Sequence, residues 1–299
     1  KSYKMDINDT SKLIKIFKKH KPDFVFHLAA QSIVSKSYIN PIETWKTNLM
    51  GTLNILECLR LIKNNCSAVI ITSDKAYKNL EISRGYKEND LLGGIDPYGA
   101  SKSAAEIVIQ SHIKSFFSKN KNNVKISVAR AGNVVGGGDW SKNRLVPDCM
   151  RSCLKNKKVL IRNPNSTRPW QHVLEVINGY LTLALNLKRK QKFHGEAFNF
   201  GPSLRTKKKV KDVVNKMKKN WNRLMWKEVK TKNFFENKLL QLDSRKSKKQ
   251  LKWKSVLTFD ETIELTVDWY KNFFEKKKST IEKSLIQIEQ YEKKIRSLM

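Results

Sequence analysis

Apolar residues along the chain follow two periodicities that alternate. Between Ser11 and His20, Leu13, Ile14, Ile16 and Phe17 recur among lysines at helical spacing, which predicts an amphipathic helix. The run that follows, "PDFVFHLAA", is apolar without alternation, as expected of a strand covered on both faces of a parallel sheet. Residues 47–62 return to the helical pattern through Leu49, Met50, Leu53, Ile55, Leu56, Leu59, Leu61 and Ile62, and "SAVIITS" is again a continuous strand. A helix then opens at "DPYGASKSAAE", and "VKISVAR" reads as a further buried strand. Helix and buried strand in alternation build a parallel sheet wrapped by helices.

Past residue 145 the segments shorten. A helix over 147–155, a strand "KVLIR", a polar turn "NPNSTRPWQHV" and a helix over 179–187 follow one another, and from Asp260 the tail is helical and rich in Lys and Glu. We therefore expect an α/β domain over 1–144 and, over 145–299, mainly a smaller mixed α/β lobe with C-terminal helices, its later segments interleaving with the sheet. No internal repeat is visible.

Composition changes this picture in one respect. The 299 residues suffice for a large core, but 60 Lys+Arg stand against 27 Asp+Glu, a net charge of +33. Nucleic-acid binding is the reading such a balance invites. The lysines, however, are spread along the chain, thickest in "RTKKKVKDVVNKMKKN", "SRKSKKQLKWK" and "FFEKKK", without aromatic interleaving or a base-reading motif. A solvated lysine-rich surface is the preferred reading, with no specific nucleic-acid partner. Cys58, Cys66, Cys149 and Cys153 form no CxxC pair and no cluster with His, so reduced thiols and no metal site are expected. No run reaches membrane-span length and "KSYKMDINDT" lacks the apolar stretch of a signal peptide, which fits a soluble cytoplasmic protein without membrane partners.

Candidate chemistry sits at the ends of the buried strands. Asp96 is a natural N-cap and Pro97 a natural first helical residue, which puts Tyr98 and Lys102 one turn apart on one helix face. An exposed pair on a helix is the plain alternative. A free tyrosine titrates at about 10, and drawing it to about 7 needs roughly 4 kcal/mol of bias from neighbouring positive charge such as the lysine ammonium. Ser73, Asp74 and Lys75 follow the strand "SAVIITS" at its carboxyl end, where ligands gather in open α/β sheets, although an ordinary polar turn would look the same. A dinucleotide fold carries its phosphate glycines in the first strand–helix turn, and no such turn precedes the first strand here. "GGGDW" at 136–140 lacks the GxGxxG spacing and an immediate helix, so a loop needing positive φ is the better reading.

The ordered series "HLAAQSIV", "TNLMGTLNILEC", "ITSDKAY", "GGIDPYGASKSAAE", "VARAGNVVGGGDW", "NRLVPD", "IRNPNSTRPWQHV" and "FNFGP" resembles the extended short-chain dehydrogenase/reductase superfamily. Within it the chain is most similar to the CDP-glucose 4,6-dehydratases, which differ from the dTDP-glucose enzymes in having "SDK" where those carry Asp-Glu. The resemblance implies a Rossmann-like doubly wound parallel sheet, N-terminally incomplete because the first glycine-rich βαβ unit is expected to be missing from the sequence given, with a smaller substrate lobe. It implies NAD as cofactor, contacted by Asp6 and Ile7 at the adenine, Leu28, Ala29 and Ala30 on the phosphate–ribose side, Asn48, and Tyr98 and Lys102 at the nicotinamide ribose.

Such enzymes oxidise C4 of the sugar, eliminate water across C5–C6 and return the hydride to C6. By resemblance Tyr98 takes the hydroxyl proton, Ser73 orients the 4-oxygen, Asp74 protonates the leaving 6-hydroxyl and Lys75 moves the C5 proton, for which the amine has to be neutral. Asn133, Arg144, Arg162 and Arg168 are the expected contacts to a CDP-sugar, arginine suiting a diphosphate. Trp170, Gln171 and His172 are expected to pack, and His27 to be a satisfied core histidine. A homodimer through the helices after Thr47 and Asp96, in deoxysugar biosynthesis for surface lipopolysaccharide, completes the expectation. Another nucleotide-sugar dehydratase, a 4-epimerase, an inactive truncated form and a basic binding protein remain as alternatives.

Overall fold

The computed structural model describes residues 1–117, 123–203, 208–229 and 239–298. The Asp9 carboxylate accepts the Lys12 N–H and starts α1 (Thr10–His20), which buries Leu13 and Phe17 and leads to strand β1 (Phe24–His27). After α2 (Val34–Ile39), the segment expected as one helix over 47–62 begins earlier. It runs as α3 (Pro41–Trp45), a wider π turn (Lys46–Met50) that buries Asn48, and α4 (Gly51–Leu61). Strand β2 (Cys66–Ile71), α5 (Pro97–His112) and β3 (Val124–Ala131) then follow as the pattern predicts.

Beyond β3 come β4 (Val134–Val135), α6 (Leu145–Leu154), β5 (Lys158–Ile161), β6 (Thr167–Arg168), β7 (Gln171–His172), α7 (Val173–Arg189) and β8 (Ala197–Phe200). The described chain continues with β9 (Lys208–Lys209), α8 (Val210–Asn220), β10 (Met225–Glu228), α9 (Phe259–Glu275) and α10 (Thr280–Ser297). Of the lysine run beginning at Arg205, residues 205–207 lie outside the described residues.

The main sheet has the order β1-β2-β3-β8, all parallel, in a register that pairs Phe24 with Ser67, Ser67 with Lys125 and Val128 with Ala197. One face packs Ile55, Leu56, Leu59 and Ile109 of α4 and α5 against Ala68, Ile70, Ile126 and Val128. The other packs Val176, Tyr180 and Leu183 of α7 with Phe198 and Phe200. A separate apolar cluster joins Met150 of α6, Val159 and Ile161 of β5, Val213 of α8 and Tyr270 of α9.

Two differences from the sequence pattern have clear causes. The stretch "NPNSTRPWQHV", expected as a polar turn, holds two short strands, because Thr167–Arg168 pairs antiparallel with β9 and Gln171–His172 parallel with β4. The helix expected over 179–187 starts at Val173, because the His172 ring caps it by accepting the Leu174 N–H at 3.3 Å; within its first turn Glu175 is entirely buried, its carboxylate accepting the N–H groups of Val256 at 2.7 Å and Leu257 at 2.5 Å. The glycine loop behaves as read. Gly138 has φ +84°, and a Cβ on Gly137 would come within 2.1 Å of the Trp269 ring, so the loop is pressed onto α9.

Candidate active site

β2 ends at Ile71, and the chain turns at once. Ser73 caps a single 3₁₀ turn, Asp74–Ala76, its Oγ accepting the Lys75 N–H at 3.2 Å and donating to Asp74 Oδ1 at 3.1 Å. Asp74 is 3% exposed and its Oδ2 has no partner. The carboxylate lies against the end of β3, where a Cβ on Gly132 would sit 1.8 Å from Oδ2. Burial pushes its pKa up to about 6, against the opposing charge of Lys75 and the hydrogen bond from Ser73.

Facing it, α5 starts as expected, with Asp96 Oδ1 accepting the Gly99 N–H at 2.9 Å and Pro97 in the first turn. Tyr98 and Lys102 are both buried. The sequence suggests that a lysine charge draws Tyr98 toward the phenolate; in the protein alone burial dominates and pushes the phenol up to about 12, the nearby Ser73 hydroxyl opposing it. Burial also lowers Lys102 to about 8, and its Nζ donates to the Ile71 carbonyl at 3.2 Å. Lys75 Nζ reaches the other oxygen of Asp96 at 3.1 Å.

Ser73, Asp74, Lys75 and Tyr98 line one cleft of about 460 Å³, together with Asn133, Arg144, Arg162 and Arg168. Arg144 is held by Asp139 Oδ2 at 3.1 Å and Ser32 Oγ at 2.7 Å. The Arg168 guanidinium donates to its neighbour's carbonyl, Thr167 O, at 2.9 Å, and its charge also acts on Asp74. Asn133 takes φ 45° and its carbonyl accepts the Gln171 N–H at 3.3 Å, while Arg162 follows β5 at the cleft wall.

Lys102 and the six other residues expected at a cofactor lie outside this lining, Tyr98 alone of that set being in it. Leu28 is 57% exposed and Ala29 exposed at the carboxyl end of β1, with Ala30 half-buried beside them. The exposed Asp6 carboxylate accepts the Asn8 N–H at 2.8 Å, and Ile7 packs on the core while its carbonyl accepts from Asn54. Asn48 is tied into the backbone around the strand end. It is fully buried, its Oδ1 accepts the Gln31 N–H at 2.8 Å, and its Nδ2 donates to Gln31 O at 3.1 Å and Ser101 Oγ at 2.9 Å. Both amide hydrogens are spent on tying the chain after β1 to α5.

His27 is a core histidine, lowered to about 4 by burial, with Nε2 3.1 Å from Thr52 Oγ1. Trp170, Gln171 and His172 are buried, and Gln171 Nε2 donates to Phe200 O at 2.7 Å. Sequence reasoning missed Ser32, Asp139 and Tyr180, which also line the cleft. It missed, too, the buried Glu106–Arg130 pair, where Thr72 Oγ1 donates to Glu106 Oε1 at 2.6 Å and so braces the residue before Ser73. Ser32 stands in "HLAAQSIV" and Asp139 in "GGGDW", but only the fold brings Ser32 to an arginine 112 positions away. Among the described residues no group of three or more His, Cys, Asp or Glu could hold a metal, and no helix is long and apolar enough to cross a membrane.

A parallel sheet with a tyrosine–lysine helix and a Ser-Asp-Lys turn at its strand ends belongs to the Rossmann-type epimerases and dehydratases. Residues 1–266 match the family described as GDP-mannose 4,6 dehydratase, and the chain is a member of that family. A CDP-glucose 4,6-dehydratase of Salmonella typhimurium is 43% identical over 89% of this chain and 75% of its own length. Among solved structures, a UDP-glucose 4-epimerase of Thermotoga maritima superposes with TM-score 0.77 at 23% identity, covering 91% of this chain and 84% of its own. A dTDP-glucose 4,6-dehydratase of Streptomyces venezuelae, solved with NAD bound, also gives 0.77, at 20% identity over 90% of this chain and 78% of its own.

Proposed function

We propose that the protein dehydrates CDP-D-glucose to CDP-4-dehydro-6-deoxy-D-glucose with NAD as cofactor. The observation that carries this reading is the single cleft in which Tyr98, Ser73, Asp74 and Lys75 meet, with an Asp74 carboxyl that burial lets hold a proton to about pH 6. The relative at 43% identity that bears the name CDP-glucose 4,6-dehydratase supports the choice of nucleotide.

The residues present fit the adenine, ribose and nicotinamide sides of a dinucleotide, while the glycine-rich turn that would cradle its pyrophosphate is not in the sequence given. Leu28 and Ala29 lie uncovered at the carboxyl end of β1, and the Asn48 hydrogen bonds link the segment just after them to the α5 turn that carries Tyr98. Leu28, Ala29, Ala30, Asp6 and Ile7 would hold it, with Tyr98 and Lys102 toward the reacting end. Such a cofactor, when bound, accepts a hydride from the sugar and gives it back.

Tyr98 takes the proton of the 4-hydroxyl, which requires its phenol to fall from about 12 as the positively charged cofactor end arrives. Ser73, whose Oγ sits between Asp74 and the Lys75 N–H, orients the 4-oxygen. With C4 a ketone, the C5 proton is acidic. Lys75 moves that proton, and Asp74 gives its own to the departing 6-hydroxyl, which leaves as water. Arg144 and Arg168, with Arg162 and Asn133, bind the diphosphate end, Arg144 being pre-set by Asp139 and Ser32.

The remaining parts of the reading are a cofactor-binding region over 1–144 with a substrate lobe mainly over 145–299, a cytoplasmic location, and a product destined for deoxysugars of a surface lipopolysaccharide. A homodimer through α3–α4 and α5 is supported by the exposure of Ile42 and Met50 along the first and Ile107 on the second.

The test is a substrate panel. CDP-glucose should give the 4-keto-6-deoxy product, and preferential turnover of dTDP-, GDP- or UDP-sugars would overturn the assignment. Tyr98→Phe should lower kcat by about 10²–10⁴-fold while the folded state persists; wild-type turnover would remove Tyr98 from the proton-transfer role.

A further inference from the structure

Asp96 makes two contacts of different kinds. Oδ1 accepts the Gly99 N–H at 2.9 Å and caps the helix that carries Tyr98, while Oδ2 holds Lys75 Nζ at 3.1 Å. The residue is 8% exposed, and the Lys75 side chain is 23% exposed, so the pair is largely withdrawn from water. A helix cap needs one acceptor oxygen, and Asn or Ser supplies it about as well as Asp. The second oxygen is therefore surplus to the cap, although the charge also suits a helix N-terminus. That oxygen is directed at the amine to which the elimination step is assigned. Tyr38 and Tyr98 are the other titratable groups that feel this carboxylate.

We propose that Asp96 is a positioning residue for the elimination, holding Lys75 Nζ at the cleft wall and taking from it the proton it must lose before it receives that of C5. The proposal rests on the dehydratase reading above. In the step, the C5–H bond breaks and its electron pair forms the C5=C6 bond as the C6–O bond breaks. The oxygen departs as water with the proton of Asp74, and the C5 proton ends on Nζ, which is first made neutral by passing one of its own protons to Asp96 Oδ2 across their 3.1 Å contact. The same side chain that sets the start of the Tyr98 helix thus anchors the second half of the reaction, so the oxidising and eliminating groups share one support.

Asp96→Asn and Asp96→Ser in the whole protein test this, since both keep an acceptor for the Gly99 N–H and both remove the charge. Incubation with NAD and CDP-glucose in deuterated water separates the two halves, reduced-nicotinamide absorbance reporting C4 oxidation and deuterium at C5 reporting proton transfer. Expected are wild-type C4 oxidation, accumulation of reduced nicotinamide, a melting temperature lowered alike in both variants by loss of the ion pair, and C5 exchange slowed by about 10- to 100-fold. Wild-type exchange in both variants, the result a cap alone would give because both keep its acceptor, would overturn the proposal, and so would a loss of oxidation in parallel with exchange. The dehydratase reading fails on a separate result, absence of C5 exchange and product in the unaltered protein.

Discussion

Asp74 concentrates the conflict between folding and chemistry in one side chain. Its carboxyl is 3% exposed, leaves one oxygen unpartnered and is raised to about 6, which suits a proton donor and strains a fold. The sign follows from proton linkage. Below the unfolded value of 3.8 both states are protonated and nothing is lost. Between 3.8 and about 6 the folded state holds a proton that the unfolded state has released, so this group's contribution to stability falls as pH rises, and above about 6 the loss is complete. The size is up to about 3 kcal/mol. Asp74→Asn should therefore be more stable than the parent at pH 8, should lose that advantage near pH 4, and should form no product. Denaturant titrations at the two pH values check it, and an equal difference at both would show that the carboxyl does not titrate in the folded protein.

At the scale of elements, the site is made by where strands stop. β2 ends before Ser73 and β3 ends at Ala131, so Gly132 can bring its backbone against Asp74 with no room for a methyl group. Gly132→Ala should displace the carboxylate and cut turnover by about 10²-fold, a misplacement of about an ångström costing that much, with the family's other motifs untouched. Activity equal to the parent would mean that the Asp74 position is not critical.

Much of this architecture was legible in the sequence. "PDFVFHLAA", "SAVIITS" and "VKISVAR" announce buried parallel strands because their apolar runs do not alternate, and Asp96-Pro97 announces the start of α5 because cap chemistry is local. What stayed hidden depends on distant partners. The two-residue strands around Arg168 exist only through pairing with β9 and β4, and nothing local in the sequence links Asn48 to Gln31 and Ser101, to which its side chain is bonded. Glu175, a charged residue in a helix start, gave no sign that backbone N–H groups about eighty positions away would bury it.

Across the whole molecule, the charge of +33 bears on assembly more than on the cleft. Two copies brought together place like charge on like, a repulsion that acts over about 10 Å at 0.1 M salt and shrinks as salt is added. Against it stand apolar side chains left in water, Ile39 and Ile42 at 71% exposure and Ile107 at 63%. If α3–α4 and α5 form the dimer surface, association should tighten as salt rises, opposite to a contact held by ion pairs. Ile42→Lys combined with Ile107→Lys should turn the dimer into a monomer at micromolar concentration, with stability of the isolated chain changed by no more than about 1 kcal/mol because both positions are exposed. Sedimentation velocity at 50 mM and 500 mM salt reads both effects. A double variant that sediments like the parent would take these helices out of the interface, and association weakened by salt would assign the contact to charged rather than apolar groups.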